Sequence, residues 1–282
     1  MIARVPATSA NMGPGFDSLG MAVTLWAEVG LVDVDSMPNG GQPADGHHLA
    51  SVAFAAAGGV GSLWVKSPIP MGRGIGYSAA VRVAGILLAC AQRNGHGGDS
   101  DAVLAEHGAE VLALATELEG HADNAAPALL GGVVASAGDR SIQVPLQLDP
   151  AVVMWVPSFT TRTDQSRSRL GPTVDLADAV FNIGRVAYLV AALAAGDVDA
   201  LHHATQDRIH QPARFEASPG SHAAYEAAVA AGAWCSWLSG SGPTVASLCS
   251  IEFAEELAAA LPANGHTKVL RIDHGGASLE YN

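Results

Sequence analysis

The residues best placed to do chemistry in this 282-residue chain form P-M-G-R-G-I-G-Y-S-A-A, Pro70 to Ala80, a loop leading into an apolar, alanine-rich segment that ends near Cys90. Gly72, Gly74 and Gly76 allow the positive φ and close backbone approach that side chains obstruct. Ser78 falls where an N-cap or first-turn residue belongs. A helix starting here aims its free N–H groups and positive dipole end at whatever the loop holds, so the pattern predicts an anion site, with phosphate its natural occupant. A Walker-type loop is excluded because it ends in Gly-Lys-Ser/Thr, and the chain's lysines are Lys66 and Lys268. G-I-G-Y-S-A carries Ala79 at the last position of a dinucleotide fingerprint, a tolerated variant, so that reading stays open on these letters alone.

Other polar clusters supply further chemistry. E-L-E-G-H-A-D-N crowds Glu117, Glu119, His121, Asp123 and Asn124 together at the end of a helical pattern. Acids sit poorly beside the negative end of a helix dipole. Clustered oxygen ligands suit Mg²⁺, which takes one or two carboxylates plus phosphate oxygens. Near the start, P-A-T-S-A-N-M-G-P-G-F-D combines small residues at Gly13 to Gly15 with the polar Asn11 and Asp17. T-T-R-T-D-Q-S-R-S-R follows Phe159, D-R-I-H-Q-P-A-R spans Asp207 to Arg214, and S-G-S-G-P spans Ser239 to Pro243. The neighbouring His47 and His48 cannot both face one metal from a helix start, and they read as solvated.

The elements that must position these groups are legible in outline. Strands are expected at Ile2 to Val5, Met21 to Val34, Ser62 to Lys66, Gly132 to Ser136, Ala151 to Val156, Trp234 to Leu238, Thr244 to Leu248 and Lys268 to Ile272. Helices are expected after Ser78, at His48 to Ala57, Asp101 to Glu119, Thr173 to Ala195, Asp197 to His210 and Ile251 to Leu261. Pro150 and Pro157 flank a strand that marks a domain seam, giving residues 1–150 and 151–282.

Composition narrows the function classes. A hydrophobic fraction of 49% with 15% charged residues describes a compact folded chain, and the net charge of −13 argues against nucleic acid or an anionic membrane as main partner. Any phosphate must therefore be held locally. With 14 basic residues in all, each Arg in a polar loop becomes a candidate anion ligand. Cys90, Cys235 and Cys249 lie in apolar contexts without C-x-x-C spacing, which fits reduced core thiols. No leader pattern is seen and no apolar run reaches the ~18 residues that span a bilayer, so a cytoplasmic location is expected.

Taken together, P-A-T-S-A-N-M-G-P-G-F-D, P-M-G-R-G-I-G-Y-S-A-A and L-S-G-S-G-P-T-V resemble the three signature motifs of the GHMP kinase superfamily. G-F-D-S-L-G, E-G-H-A-D-N-A-A-P-A-L-L-G-G, A-D-A-V-F-N-I-G-R and D-R-I-H-Q-P-A-R look like its homoserine kinase branch, and the resemblance covers nearly the whole chain. It implies an α+β fold of two domains, the first like ribosomal protein S5 domain 2 and the second ferredoxin-like, with ATP and substrate between them. It also implies phosphorylation of the L-homoserine hydroxyl, a step toward threonine, and is compatible with a homodimer.

Carried over by motif, Pro70, Gly72, Arg73, Gly74, Ile75, Gly76, Tyr77, Ser78, Ala79 and Ala80 would line the ATP phosphates, and Ser78 with Glu119 would hold Mg²⁺. Asn11, Asp17, His121 and Asn124 match substrate-side positions, Thr163, Arg167 and Arg214 match those near the substrate carboxylate, and Gly240 would brace the pocket. Asn124 and Asp123 are the catalytic candidates. With no lysine in the matching loops, the hydroxyl proton is expected to leave to phosphate or solvent, with Asp123 the remaining base.

Two departures stand out. Tyr77 replaces the first of the usual pair of serines, so the phenol either turns away from the loop or alters the nucleotide site. The Val34 to Ser62 region is short for the family and leaves the adenine contacts unassigned. Another small-alcohol kinase, or a weakly catalytic ligand sensor on the same fold, are the alternatives.

Overall fold

The computed structural model describes residues 1–32, 36–94, 100–160 and 163–280. Two antiparallel sheets organise the chain. The first contains β1 (Ile2–Ala10), β2 (Leu19–Leu31), β3 (Gln42–Ala44), β4 (Leu63–Lys66), β5 (Val133–Ala137) and β6 (Arg140–Val144). The second contains β7 (Ala151–Pro157), β8 (Cys235–Leu238), β9 (Val245–Cys249) and β10 (Gly265–Arg271), ordered β10-β7-β9-β8. A last strand, β11 (Ser278–Glu280), returns to pair with β1, so the chain's end closes the first sheet.

β2, the longest strand described, pairs with β1 and also with β4 along Glu28 to Leu31 and β5 along Leu19 to Met21. Its partner β1 shifts register between Pro6 and Ala7. Pro6 cannot donate to a ladder, and a bulge is one of the few places a paired strand accepts it.

The helices are α1 (Leu49–Ala56), α2 (Tyr77–Asn94), α3 (Ser100–Glu119), α4 (Ala122–Leu130), α5 (Thr163–Ser168), α6 (Leu176–Ala195), α7 (Val198–Ala204), α8 (Gln211–Glu216), α9 (Pro219–Ala231) and α10 (Ala254–Ala260). α2 is buried along most of its length, with Val81, Val83, Ile86, Leu87 and Leu88 fully enclosed. β7 shows how both sheets share the core. All seven of its residues are buried, and alternation sends Val152, Met154 and Val156 into the main core while Ala151, Val153 and Trp155 pack against α9 and α10. Trp155 satisfies its indole N–H on Pro262 O at 2.8 Å. Cys90, Cys235 and Cys249 are buried and form no disulfide among the described residues.

Two sequence expectations need correction. A single helix over Asp197 to His210 is not formed, because α7 stops at Ala204 and the Asp207 carboxylate takes the N–H groups of Ile209, His210 and Gln211. Those donors would otherwise belong to a helix ladder, so a side chain has replaced backbone partners and folded the segment into a loop. α6 is also long and apolar enough, by length and composition, to cross a membrane, which the charge-interrupted sequence did not suggest. Its inner face carries Asn182, Leu189 and Leu193 into the protein, while Leu176, Val180, Ile183 and Tyr188 face outward. The Met21 to Val34 expectation extends past Leu31, and its residues 33–34 lie outside the described residues.

Candidate active site

A cleft of about 460 Å³ opens between the two sheets, with the glycine loop at one end and Asp17 and Arg167 at the other. Gly72, Gly74 and Gly76 all have positive φ, of 66°, 74° and 65°. At two of them the reason is packing as well as conformation. A Cβ on Gly74 would lie 2.3 Å from Ser239 O, and one on Gly76 would lie 1.9 Å from Thr8 Oγ1. The loop is thus pressed between β1 and the β8–β9 turn.

A hydrogen-bond relay holds it there. The Trp237 indole N–H donates to Ser9 Oγ at 2.9 Å, Ser9 donates to Ser239 Oγ at 2.8 Å, and Ser239 donates to Gly74 O at 2.6 Å. Each hydroxyl is spent once as donor, so the chain has a fixed direction. α2 begins at Tyr77, immediately after Gly76, and its N-terminal turn lines the cleft through Tyr77, Ser78 and Ala79. Ala80, expected among the phosphate contacts, is corrected: it is fully buried and its N–H is already bonded to Gly76 O at 3.0 Å.

Ser78 Oγ donates to Glu119 Oε1, which brings the last residue of α3 to the first turn of α2. Arg82, one helical turn on from Ser78, donates to both, at 3.1 Å to Ser78 Oγ and in a closer contact to Glu119. Sequence reasoning missed Arg82; its only signal was a lone charge in an otherwise apolar run. Of the acidic cluster only part converges. Glu117 is exposed, whereas Glu119 reaches Ser78 and Asp123 turns into the cleft.

Tyr77 is tied down by His48. The His48 Nδ1 accepts the Ala50 N–H at 3.1 Å and so caps α1, which leaves Nε2–H to donate to the Tyr77 hydroxyl at 3.0 Å. Burial lowers the His48 pKa, in keeping with that neutral tautomer, and raises that of Tyr77. His47 is exposed, but His48 is not the solvated residue expected from its position.

At the other end, Asn11, Met12 and Asp17 hold positive φ without being glycine. The cost is offset locally: Asn11 Oδ1 accepts the Asp17 N–H at 3.1 Å, and Asn11 Nδ2 donates to Gly240 O at 2.9 Å. Arg167 grips both Asp17 oxygens through Nη2, at 2.7 and 2.8 Å. Asp123 Oδ1 accepts from Asn124 Nδ2 at 3.2 Å and bonds His121 Nδ1 at 2.6 Å, while Thr8 Oγ1 donates to Asn124 Oδ1 at 2.7 Å. That bond to Asp123 raises the His121 pKa against the opposing effect of burial. The side chain of Thr163 lies outside the described residues.

Arg214 is buried beneath this end, donating to Gly240 O at 2.9 Å and paired with His210 Nδ1 at 3.1 Å. The other ring nitrogen of His210 meets Gly13 O at 2.7 Å, so Nε2 carries the proton and the ring is neutral. Burial pulls the His210 pKa down to about 4 and that of Arg214 to about 10, which leaves Arg214 cationic at neutral pH. Asn182, from α6, fastens the same corner by donating to Asp207 at 2.6 Å and Pro14 O at 3.3 Å.

Comparison with known proteins places this geometry. Residues 47–132 match the model of the GHMP kinase N-terminal domain, and residues 189–267 that of the GHMP kinase C-terminal domain. The chain belongs to the GHMP kinase family. A homoserine kinase of Moorella thermoacetica is 43% identical, covering 88% of this chain and 87% of its own, and one of Gloeobacter violaceus is 39% identical with 99% of both covered. The solved structure of a homoserine kinase from Cytophaga hutchinsonii superposes with a TM-score of 0.81 at 28% identity, covering 99% of this chain and 96% of that one.

Two outcomes follow from the packing. Ser239→Ala strands the Ser9 hydroxyl and the Gly74 carbonyl, so it should cost about 1–3 kcal/mol in chemical denaturation and weaken ATP binding as well; unchanged stability and unchanged ATP affinity would contradict the relay. The His210 linkage has a defined sign. Its folded pKa lies below the ordinary 6.5, so the unfolded chain takes the proton first and stability falls as pH drops from about 6.5 toward about 4. His121, whose pKa is raised, acts in the opposite direction, so the comparison is made against His210→Gln, which should flatten the decline seen in denaturant midpoints. An identical decline in both proteins would show that His210 is not its source.

Proposed function

We infer that this protein is a homoserine kinase, transferring the terminal phosphoryl group of ATP to the hydroxyl of L-homoserine. The observation that carries the reading is the placement of Asp17 and Arg167 across one cleft from a glycine loop at a helix N-terminus. A zwitterionic amino acid needs an acid for its amine and a guanidinium for its carboxylate. Here both exist and are paired, with side chains 33% and 45% exposed, and the Arg167 guanidinium also lies 5.2 Å from the centre of the Phe16 ring. An exposed pair of this kind is worth at most about 1 kcal/mol, so a substrate can part it at little cost.

For the phosphoryl transfer, the loop amides and the α2 dipole face the phosphates, and positioning does most of the work. Asp123 already shares one oxygen between His121 and Asn124, so we assign it to orienting those two side chains. The hydroxyl proton then leaves with the phosphate or to solvent. The bond to Asp123 raises the His121 pKa and so favours the protonated ring, which would add positive charge beside the substrate.

Ser78 and Glu119 fit the Mg²⁺ expected of the family: a hydroxyl and a carboxylate in contact at the phosphate end form a hard oxygen donor pair, which the ion would complete with phosphate oxygens. When bound, the ion would neutralise charge on the transferring group.

Arg167→Ala is expected to raise the KM for homoserine about 10- to 100-fold, the loss of one charge-assisted contact, with little effect on the KM for ATP in an ADP-release assay. Turnover on mevalonate with none on homoserine would overturn the assignment. We also propose a cytoplasmic homodimer joined through the outward face of α6. Gly184 lies mid-helix on that face, where a Cβ would meet nothing within 4 Å among the described residues, and it would let a second helix approach closely. Light scattering that gave the single-chain mass of 28.6 kDa would contradict the dimer.

A further inference from the structure

Arg82 is a charge in an expensive place. Its neighbours Val81 and Val83 are fully buried, and the Arg82 and Glu119 side chains are themselves only 17% and 11% exposed. Desolvating such a pair is costly, and an apolar pair of similar volume would often be no less stable. The guanidinium therefore calls for a reason beyond packing.

Its geometry supplies one. Side chains on a helix lean back toward the N-terminus, so Arg82 reaches from the second turn of α2 to the phosphate end of the cleft, which it lines. Nη1 is held by Ser78 and Glu119, while no acceptor among the described residues engages Nη2, and Nε is buried without a partner. Of the other arginines lining the cleft, Arg167 is paired with Asp17, Arg214 donates through Nη1 to Gly240 while its Nε, like that of Arg82, is buried without a partner among the described residues, and Arg73 in the glycine loop keeps a buried Nη1 likewise unpartnered. In a chain with a net charge of −13, a polyphosphate needs fixed local cations, and a helix terminus offers only about half a charge.

We propose that Arg82 is a phosphate-binding residue of the nucleotide site, positioned by Glu119 and Ser78 so that its free edge meets the terminal phosphates. This rests on reading the cleft as a kinase site. It gives the site a resident cation that operates without a metal ion. It also makes Glu119 a shared acceptor, so removing Arg82 weakens metal-free nucleotide binding while freeing Ser78 and Glu119 for a divalent ion.

The test is isothermal titration of ATP, ADP and AMP, with chelator and then with Mg²⁺, into wild type and Arg82→Met. With chelator, the variant should bind ATP and ADP at least tenfold more weakly than wild type and AMP equally well, and added Mg²⁺ should narrow the difference. A merely structural role would weaken all three nucleotides alike, and that result overturns the proposal. So does a cooperatively melting variant with wild-type ATP and ADP affinity, or a wild type that binds Mg·ATP but no metal-free ATP. The last two outcomes leave the kinase reading standing, whereas a wild type that binds no nucleotide under either condition overturns both. Should Arg82→Met fail to fold, Arg82→Met/Glu119→Gln removes the two charges together, and the same phosphate-dependent loss is expected relative to Glu119→Gln.

Discussion

The cleft depends on the closure of the glycine loop against the β8–β9 turn. Three hydrogen bonds, from Trp237 through Ser9 and Ser239 to Gly74, cross from one sheet to the other and end on a backbone carbonyl of the loop. The two bonds at Ser9 are buried, so the alternative to each is an unsatisfied polar group and not a bond to water, while the last, to the Gly74 carbonyl, lies partly buried at the cleft wall. The same closure explains why Gly74 and Gly76 cannot carry side chains: the space a Cβ would need is filled by Ser239 and Thr8. Loop, helix start and third motif therefore stand as one rigid unit on which a nucleotide can be placed.

Charge in the cleft is graded by burial. Arg214 lies deep and bonded to backbone, where desolvation has lowered its pKa to about 10 without discharging it. Its placement braces Gly240, and beside it burial keeps His210 neutral. Arg167 is half exposed and paired with Asp17, a contact weak enough to exchange for a ligand. Arg82 falls between these extremes, enclosed but with one edge of its guanidinium uncommitted. The graded arrangement separates groups that hold the site together from groups free to hold substrate.

Much of this was legible in the sequence because the governing constraints are local. Positive φ at Gly72, Gly74 and Gly76 is a property of residue type, and the apolar run after Ser78 declares its helix whatever it packs against. β7 could be read because alternate residues serve two cores and all are apolar. The illegible features depend on distant partners. Arg82 has meaning only beside Glu119, 37 residues away. The break in the helical pattern after Ala204 depends on Asp207 capturing three N–H groups, which no periodicity reveals. β11 is too short to announce itself, and pairing with β1 alone defines it. Ala80 was misplaced for a related reason: it lies in the motif, but the helix ladder had already claimed its N–H.

The central claim is that the glycine loop and the β8–β9 turn act together as the nucleotide platform, with the substrate at the Asp17 end. Hydrogen exchange resolved along the chain tests it most directly. Adding ATP should slow exchange of the Gly72 to Ala79 amides and of the Ser239 to Thr244 amides in parallel, and homoserine should then slow exchange around Asn11 to Asp17 and His121 to Asn124. ATP-dependent protection that spared Gly72 to Ala79, or that reached the loop without the Ser239 turn, would contradict the account.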